Sequence, residues 1–68
     1  MDSLYPILQV VMETRGVSIG TIAEIIGRSE RIVRLKLNGV REWTLAEAVE
    51  ICRYLQYHDL KKLFLRKL

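Results

Sequence analysis

SIGTIAEIIGRSERIVRLKLNG, residues 18–39, decides how this chain folds. Ser18 stands where a side-chain oxygen can accept from the free amides of a helix beginning at Ile19, and Val17 ahead of it can pack on Ile22 inside, a hydrophobic staple. Gly27 ends that helix, because glycine enters the left-handed backbone of a helix terminus at least cost. Ser29 then caps a second helix running to about Leu37, and Asn38-Gly39 stops it. Two short helices folded across one tight turn make a helix-turn-helix pattern, in which the second helix is usually the one laid into the DNA major groove.

Within the first helix Ile22, Ala23 and Ile26 face inward, with Thr21 and Glu24 outward, and Ala23 is small enough to admit another backbone. On the second, at about 100° per residue, Val33 and Leu37 point one way. Leu35 points nearly opposite, with Arg31 outward beside it and Ile32 and Arg34 outward less squarely. A groove or a partner surface would meet that side. Charge gathers there too: residues 1–27 carry a net −2, residues 28–41 +4, residues 42–60 −3 and residues 61–68 +4. Basic charge concentrated on one element is the electrostatic footprint of a nucleic-acid contact; its plainer reading is a solvated cationic face.

The remaining chain supplies support for this unit. Residues 4–15 set Leu4, Ile7, Leu8 and Val11 on one helical face, with Ser3 as cap and Pro6 in the first turn, where its missing N–H is harmless. Thr44-Leu-Ala-Glu47 is a capping box that opens a fourth helix with Leu45, Ala48, Val49, Cys52 and Leu55 inward and Ile51 alongside. Trp43, just ahead, folds onto the core as a lid. Asp59 caps a short fifth helix whose Leu60, Leu63 and Phe64 face inward, leaving Leu65 and Leu68 pointing elsewhere. Cys52, on an apolar face, reads as a buried packing residue; His58 as a surface residue; Tyr5, Tyr54 and Tyr57 as half-buried packing groups. The fold expected is all-α, a small five-helix bundle in a single domain spanning residues 1–68.

Composition excludes several classes. Sixty-eight residues, half of them hydrophobic and 28% charged, with one Pro and four Gly, describe one globular domain without a flexible linker. The longest uncharged run, residues 3–12, falls well short of the roughly 20 apolar residues of a membrane span, and no basic-then-apolar signal segment opens the chain. A cytoplasmic protein without a membrane partner is expected. One cysteine and one histidine offer no zinc constellation, so neither metal nor cofactor is expected. No paired carboxylates, nucleophile with a base, or phosphate-cradling Gly loop suggests an enzyme.

Taken together, the Ile22-Ala23 pair, the Gly27-Arg28-Ser29 turn, Val33, the run Lys36-Leu37-Asn38-Gly39, the aromatic-Thr-Leu start at Trp43 and the closing residues 59–64 resemble the phage repressor and Cro family of helix-turn-helix regulators. The resemblance covers nearly the whole chain from Leu4 to Phe64. It implies a lambda repressor-like DNA-binding domain, a sequence-specific transcriptional regulator of phage or mobile-element type that acts as a dimer on a two-fold site in double-stranded DNA. The DNA-facing residues so implied are Arg28, Ser29, Glu30, Arg31, Ile32, Arg34, Leu35, Lys36, Asn38 and Arg41. Arg28, Arg31, Arg34, Lys36 and Arg41 would pair with phosphates; Arg31 could also reach guanine, Glu30 a cytosine amine, and Ile32 or Leu35 thymine methyls. Leu65 and Leu68 are the candidate dimer contacts.

Departures from the family pattern keep a second reading open. Ile19 stands where a phosphate-anchoring Gln is common, Ile32 and Leu35 where small polar residues or Arg are common, and Glu30 at the first exposed position would repel phosphate. Such an apolar, partly acidic face also suits a protein partner, as in an antirepressor or inhibitor.

Overall fold

Most helices carry their own start signal. The computed structural model describes residues 4–67 and shows five helices: α1 Pro6–Thr14, α2 Ile19–Ile26, α3 Glu30–Leu37, α4 Leu45–Leu55 and α5 Leu60–Leu63. No strand occurs among the described residues. Side-chain oxygens cap four of the five. Ser18 Oγ accepts from the Thr21 amide at 3.2 Å, Ser29 Oγ from the Ile32 amide at 3.3 Å, and Asp59 Oδ1 from the Lys62 amide at 3.0 Å. At α4 the expected capping box is complete: the Glu47 amide donates to Thr44 Oγ1 at 3.1 Å, and the Thr44 amide donates to Glu47 Oε1 at 3.0 Å.

The ends of α2, α3 and α4 share one geometry. Gly27 and Gly39 take positive φ, 67° and 80°, and the amides that follow them reach back to Ala23 and Leu35 carbonyls at 3.0 and 2.9 Å. That closure satisfies carbonyls which would otherwise lose their partners where the helix stops. α4 ends the same way without glycine, on Gln56 at φ 53°.

α1 departs from expectation. It begins at Pro6, after Tyr5, which offers no side-chain cap; the expected cap, Ser3, lies outside the described residues. Its buried side chains are Leu8 and Met12, joined by Tyr5 ahead of the helix, whereas Leu4, Ile7 and Val11 are partly buried. The stripe is thus rotated from the expected one. Tyr5, Leu8, Met12, Ile22, Ala23, Val33, Ile51, Cys52, Leu55 and Leu63 form the core. Trp43 covers one end as a lid, meeting Tyr5 and Phe64 edge-on at ring-centroid distances of 6.3 and 5.5 Å.

In α4, Ala48, Cys52 and Leu55 turn inward as expected, Ile51 is fully buried with them and Val49 is partly buried, but Leu45 is 73% exposed. The cause is the neighbour two positions on. Glu47 is buried and shifts the inward arc toward itself, which leaves Leu45 at the arc's far edge on the first, projecting turn. Tyr5 is buried rather than half-buried, Tyr57 is partly buried, and Tyr54 is 55% exposed. Val10, Val40, Leu45 and Tyr54 are large exposed apolar side chains, so Leu65 is not alone in lacking an inward role.

Candidate nucleic-acid interface

α3 carries the candidate interface, and its position is set from its inner side. Val33 is fully buried, and beside it, less than one turn on, Lys36 is 5% exposed. The Lys36 ammonium donates to Glu47 Oε1 at 2.7 Å and to the Glu42 carbonyl at 3.0 Å, with the Trp43 ring centroid 5.7 Å away. Here the sequence reading is corrected: Lys36 is not on the phosphate-facing rim. Counted from Val33, it falls within about 60° of the core direction, and a buried ammonium stays only where hydrogen-bonded counter-charge meets it. Glu47 is that counter-charge, and the sequence reading assigned it a cap alone. The signal available was the helical phase of Lys36, which its charge overrode.

Glu47 thus serves two elements through one oxygen: Oε1 takes both the Lys36 ammonium and the Thr44 amide. Its other oxygen faces Arg28 Nε at 3.9 Å, across an Arg side chain that is 59% exposed. Burial alone pushes the Glu47 carboxyl up. The Lys36 and Thr44 hydrogen bonds and the Lys36 charge together outweigh it, and its pKa stands below the ordinary carboxylate value.

The outer side of α3 is built differently. Glu30, Arg31 and Arg34 are exposed, as are Arg28 and Ser29 in the preceding turn and Asn38 and Arg41 after the helix. Ile32 and Leu35 are partly buried, so Leu35 is less outward than the helical phase alone suggests. Leu35's carbonyl is occupied by the Val40 and Arg41 amides at 2.9 and 3.3 Å, which fixes the loop beyond α3. Ser29 Oγ is committed to its cap. Arg34 Nη2 meets Glu30 Oε1 at 3.4 Å one turn apart, both side chains more than half exposed. Glu30's other oxygen lies over Gly20, where a Cβ would stand only 3.1 Å away, so α2 and α3 approach closely at that point. Neither Gly20 nor this contact was singled out from sequence.

No protein-family model matches the chain, and neither a curated protein nor a solved structure matches it with significance. The functional reading therefore rests on geometry and chemistry. Arg28, Arg31, Arg34 and Arg41, on α3 and in the turns that flank it, are exposed, while α3's one lysine is turned inward.

Elsewhere the surface offers less chemistry. Val49, Cys52, Gln56, Tyr57, His58 and Leu60 line an open groove between α4 and α5. Cys52 there is buried, and burial, with the Asp59 charge beside it, pushes its thiol pKa up, away from the thiolate that nucleophilic chemistry requires. Among the described residues no group of three or more His, Cys, Asp or Glu could hold a metal ion, and no helix is long and apolar enough to cross a membrane. Leu65 is 59% exposed; Leu68, its expected companion at a dimer contact, lies outside the described residues.

Proposed function

We propose that this chain binds double-stranded DNA through the outer face of α3, with α2 and α3 acting as a helix-turn-helix, and that it works as a sequence-specific transcriptional regulator of phage or mobile-element type. One observation carries the reading: four exposed arginines lie on α3 and in the turns beside it, while its inner face is tied to α4 by a buried ion pair. A rigid helix presenting planar, bidentate donors is what phosphates and guanine edges select. The eight residues of α3 span roughly 12 Å, about the width of the major groove. Arg31, with no acidic partner among the described residues, is the base-reading candidate; Arg28, Arg34 and Arg41 are the phosphate contacts.

Because one small domain covers little DNA, specific binding calls for two copies on a two-fold site, about 34 Å between recognition helices. The C-terminal segment, with Leu65 exposed, is the proposed contact between them; Leu65→Asp should abolish a dimer seen by sedimentation of the native chain on its site.

Titrating duplex DNA at several salt concentrations tests the central claim. Each phosphate contact should contribute about 0.9 to the slope of log affinity against log salt. Arg34→Ala should weaken binding to all sequences alike, whereas Arg31→Ala should also relax the preference found by selecting bound sequences from random DNA. If the native chain shows no salt-sensitive binding even at low salt, the DNA reading fails, and the face formed by Ile32, Leu35 and the Glu30–Arg34 pair becomes a protein-docking surface.

A further inference from the structure

The chain's second basic block is far from the first in sequence and next to it in space. Residues 61–68 hold four basic and no acidic side chains. The Lys67 amide donates to the Leu4 carbonyl at 2.7 Å, which ties the segment after α5 back across the start of the chain. Arg66 in that segment lies over the Tyr5 ring, its guanidinium carbon 6.0 Å from the centroid. From there it reaches the end of α3: a Cβ on Gly39 would stand 2.9 Å from Arg66 Nη2 and would run into the Leu4 side chain. The positive φ of Gly39 is what calls for glycine there; the Leu4 and Arg66 side-chain ends lie against it and could move aside.

This contact sets Arg66 at the C-terminal end of α3, in the neighbourhood of the loop that carries Arg41. We infer that Arg66 extends the DNA-contacting surface, gripping with Arg41 the backbone phosphates where α3 leaves the major groove. The inference rests on the DNA reading above. A helix about as long as the groove is wide brings its far end to the groove wall, and that wall is phosphate. The side chain suits this: Arg66 is exposed, and a guanidinium lying over an aromatic face at 6.0 Å keeps N–H groups to donate to a phosphate oxygen. The nearest acid in sequence, Asp59, is turned to the Lys62 amide as a cap. The partner is the sugar–phosphate backbone itself, so this contact adds affinity and no sequence preference.

Salt titrations of the native chain, Arg66→Gln, Arg41→Gln and Arg66→Lys on one duplex test it. Arg66→Gln should lower the salt slope by about 0.9, which makes the loss of affinity between 50 and 200 mM salt about three- to fourfold smaller than for the native chain. Arg41→Gln should do the same, and the double variant twice as much. Arg66→Lys keeps the charge and should restore the slope. If Arg41→Gln lowers the slope and Arg66→Gln does not, the tail contact is wrong while the DNA reading stands. Should Arg66→Lys lose as much slope as Arg66→Gln, the effect is one of folding over Tyr5, and the inference is overturned. A native chain with no salt-sensitive binding refutes the DNA reading itself.

Discussion

α3 carries an ion pair on each of its two sides, and the two obey different physics. On the inner side Lys36 and Glu47 meet at 2.7 Å, each side chain less than a tenth exposed. On the outer side Arg34 and Glu30 meet at 3.4 Å with both side chains more than half in water. In water the Coulomb attraction at such distances is about 1–1.5 kcal/mol and largely offset by side-chain entropy; in a buried site it is several times stronger, and losing one partner strands a charge. The inner pair therefore fixes where the helix lies, and the outer pair can be exchanged for a ligand's charges at little cost. One helix holds a structural pair and an exchangeable one, divided by which way a charged residue points.

The sharpest way to break this contrast is Glu47→Ala. It strands the Lys36 ammonium in a buried site and removes half of the α4 capping box, and removal of one partner from a buried pair costs about 3–5 kcal/mol. A domain of this size has little more than that to lose, so urea denaturation should show a chain at the edge of unfolding. Joining Lys36→Met to Glu47→Leu removes both charges and should recover at least half of the loss. A loss below 1 kcal/mol for Glu47→Ala would mean that the inner pair is no stronger than the outer one.

This contrast also marks what the sequence made legible. Caps and stops are local: Ser18, Ser29, Thr44 and Asp59 each bond an amide three residues along, and Gly27 and Gly39 close helices within a few residues. Those signals can be read from a short window, and four of the five helices, α2 to α5, follow from them. The Lys36–Glu47 pair joins residues eleven apart across a loop, and Arg66 reaches Gly39 from the far end of the chain. No local pattern encodes either. Lys36 was misread because a lysine in a basic block suggests a phosphate contact, although its phase beside Val33 already turned it inward. Leu45 was misread for the complementary reason: Glu47 lies on the buried arc of α4, and Leu45 is left at that arc's edge.

A smaller effect should appear in acid. The folded-state pKa of Glu47 lies below its ordinary value, so its charge stabilises the fold fully above the unfolded-state pKa of about 4.3, and that contribution falls away as pH drops through the folded pKa. Between those values the unfolded chain binds more protons than the folded one, and stability declines as pH is lowered. Glu47→Gln has no such proton to bind. The stability gap between native chain and Glu47→Gln should be widest near neutral pH and should shrink below about pH 4. A gap that stays constant down to pH 2 would show that the carboxylate charge contributes nothing on the inner side.

Smallest for stability, and largest in what it says about function, is Glu30→Gln on the outer side. Exposed pairs one helical turn apart contribute about 0.3–0.5 kcal/mol, so thermal and urea midpoints should scarcely move. DNA binding should respond instead. Glu30 at present holds Arg34 at 3.4 Å and adds a negative charge beside whatever phosphate approaches α3. Neutralising it frees the Arg34 guanidinium and removes that repulsion, so affinity for duplex DNA should rise, with the salt slope increasing by up to about 0.9. A carboxylate kept at such a position weakens binding to every sequence, and it is retained to advantage only where it accepts from a cytosine amine in the chosen site. Glu30→Gln should then tighten binding to random duplex more than to the selected sequence and so lower the ratio between them. If it tightens neither, or destabilises the fold by 2 kcal/mol or more, Glu30 belongs with Glu47 as a structural residue, and the division between the two sides of α3 is wrong.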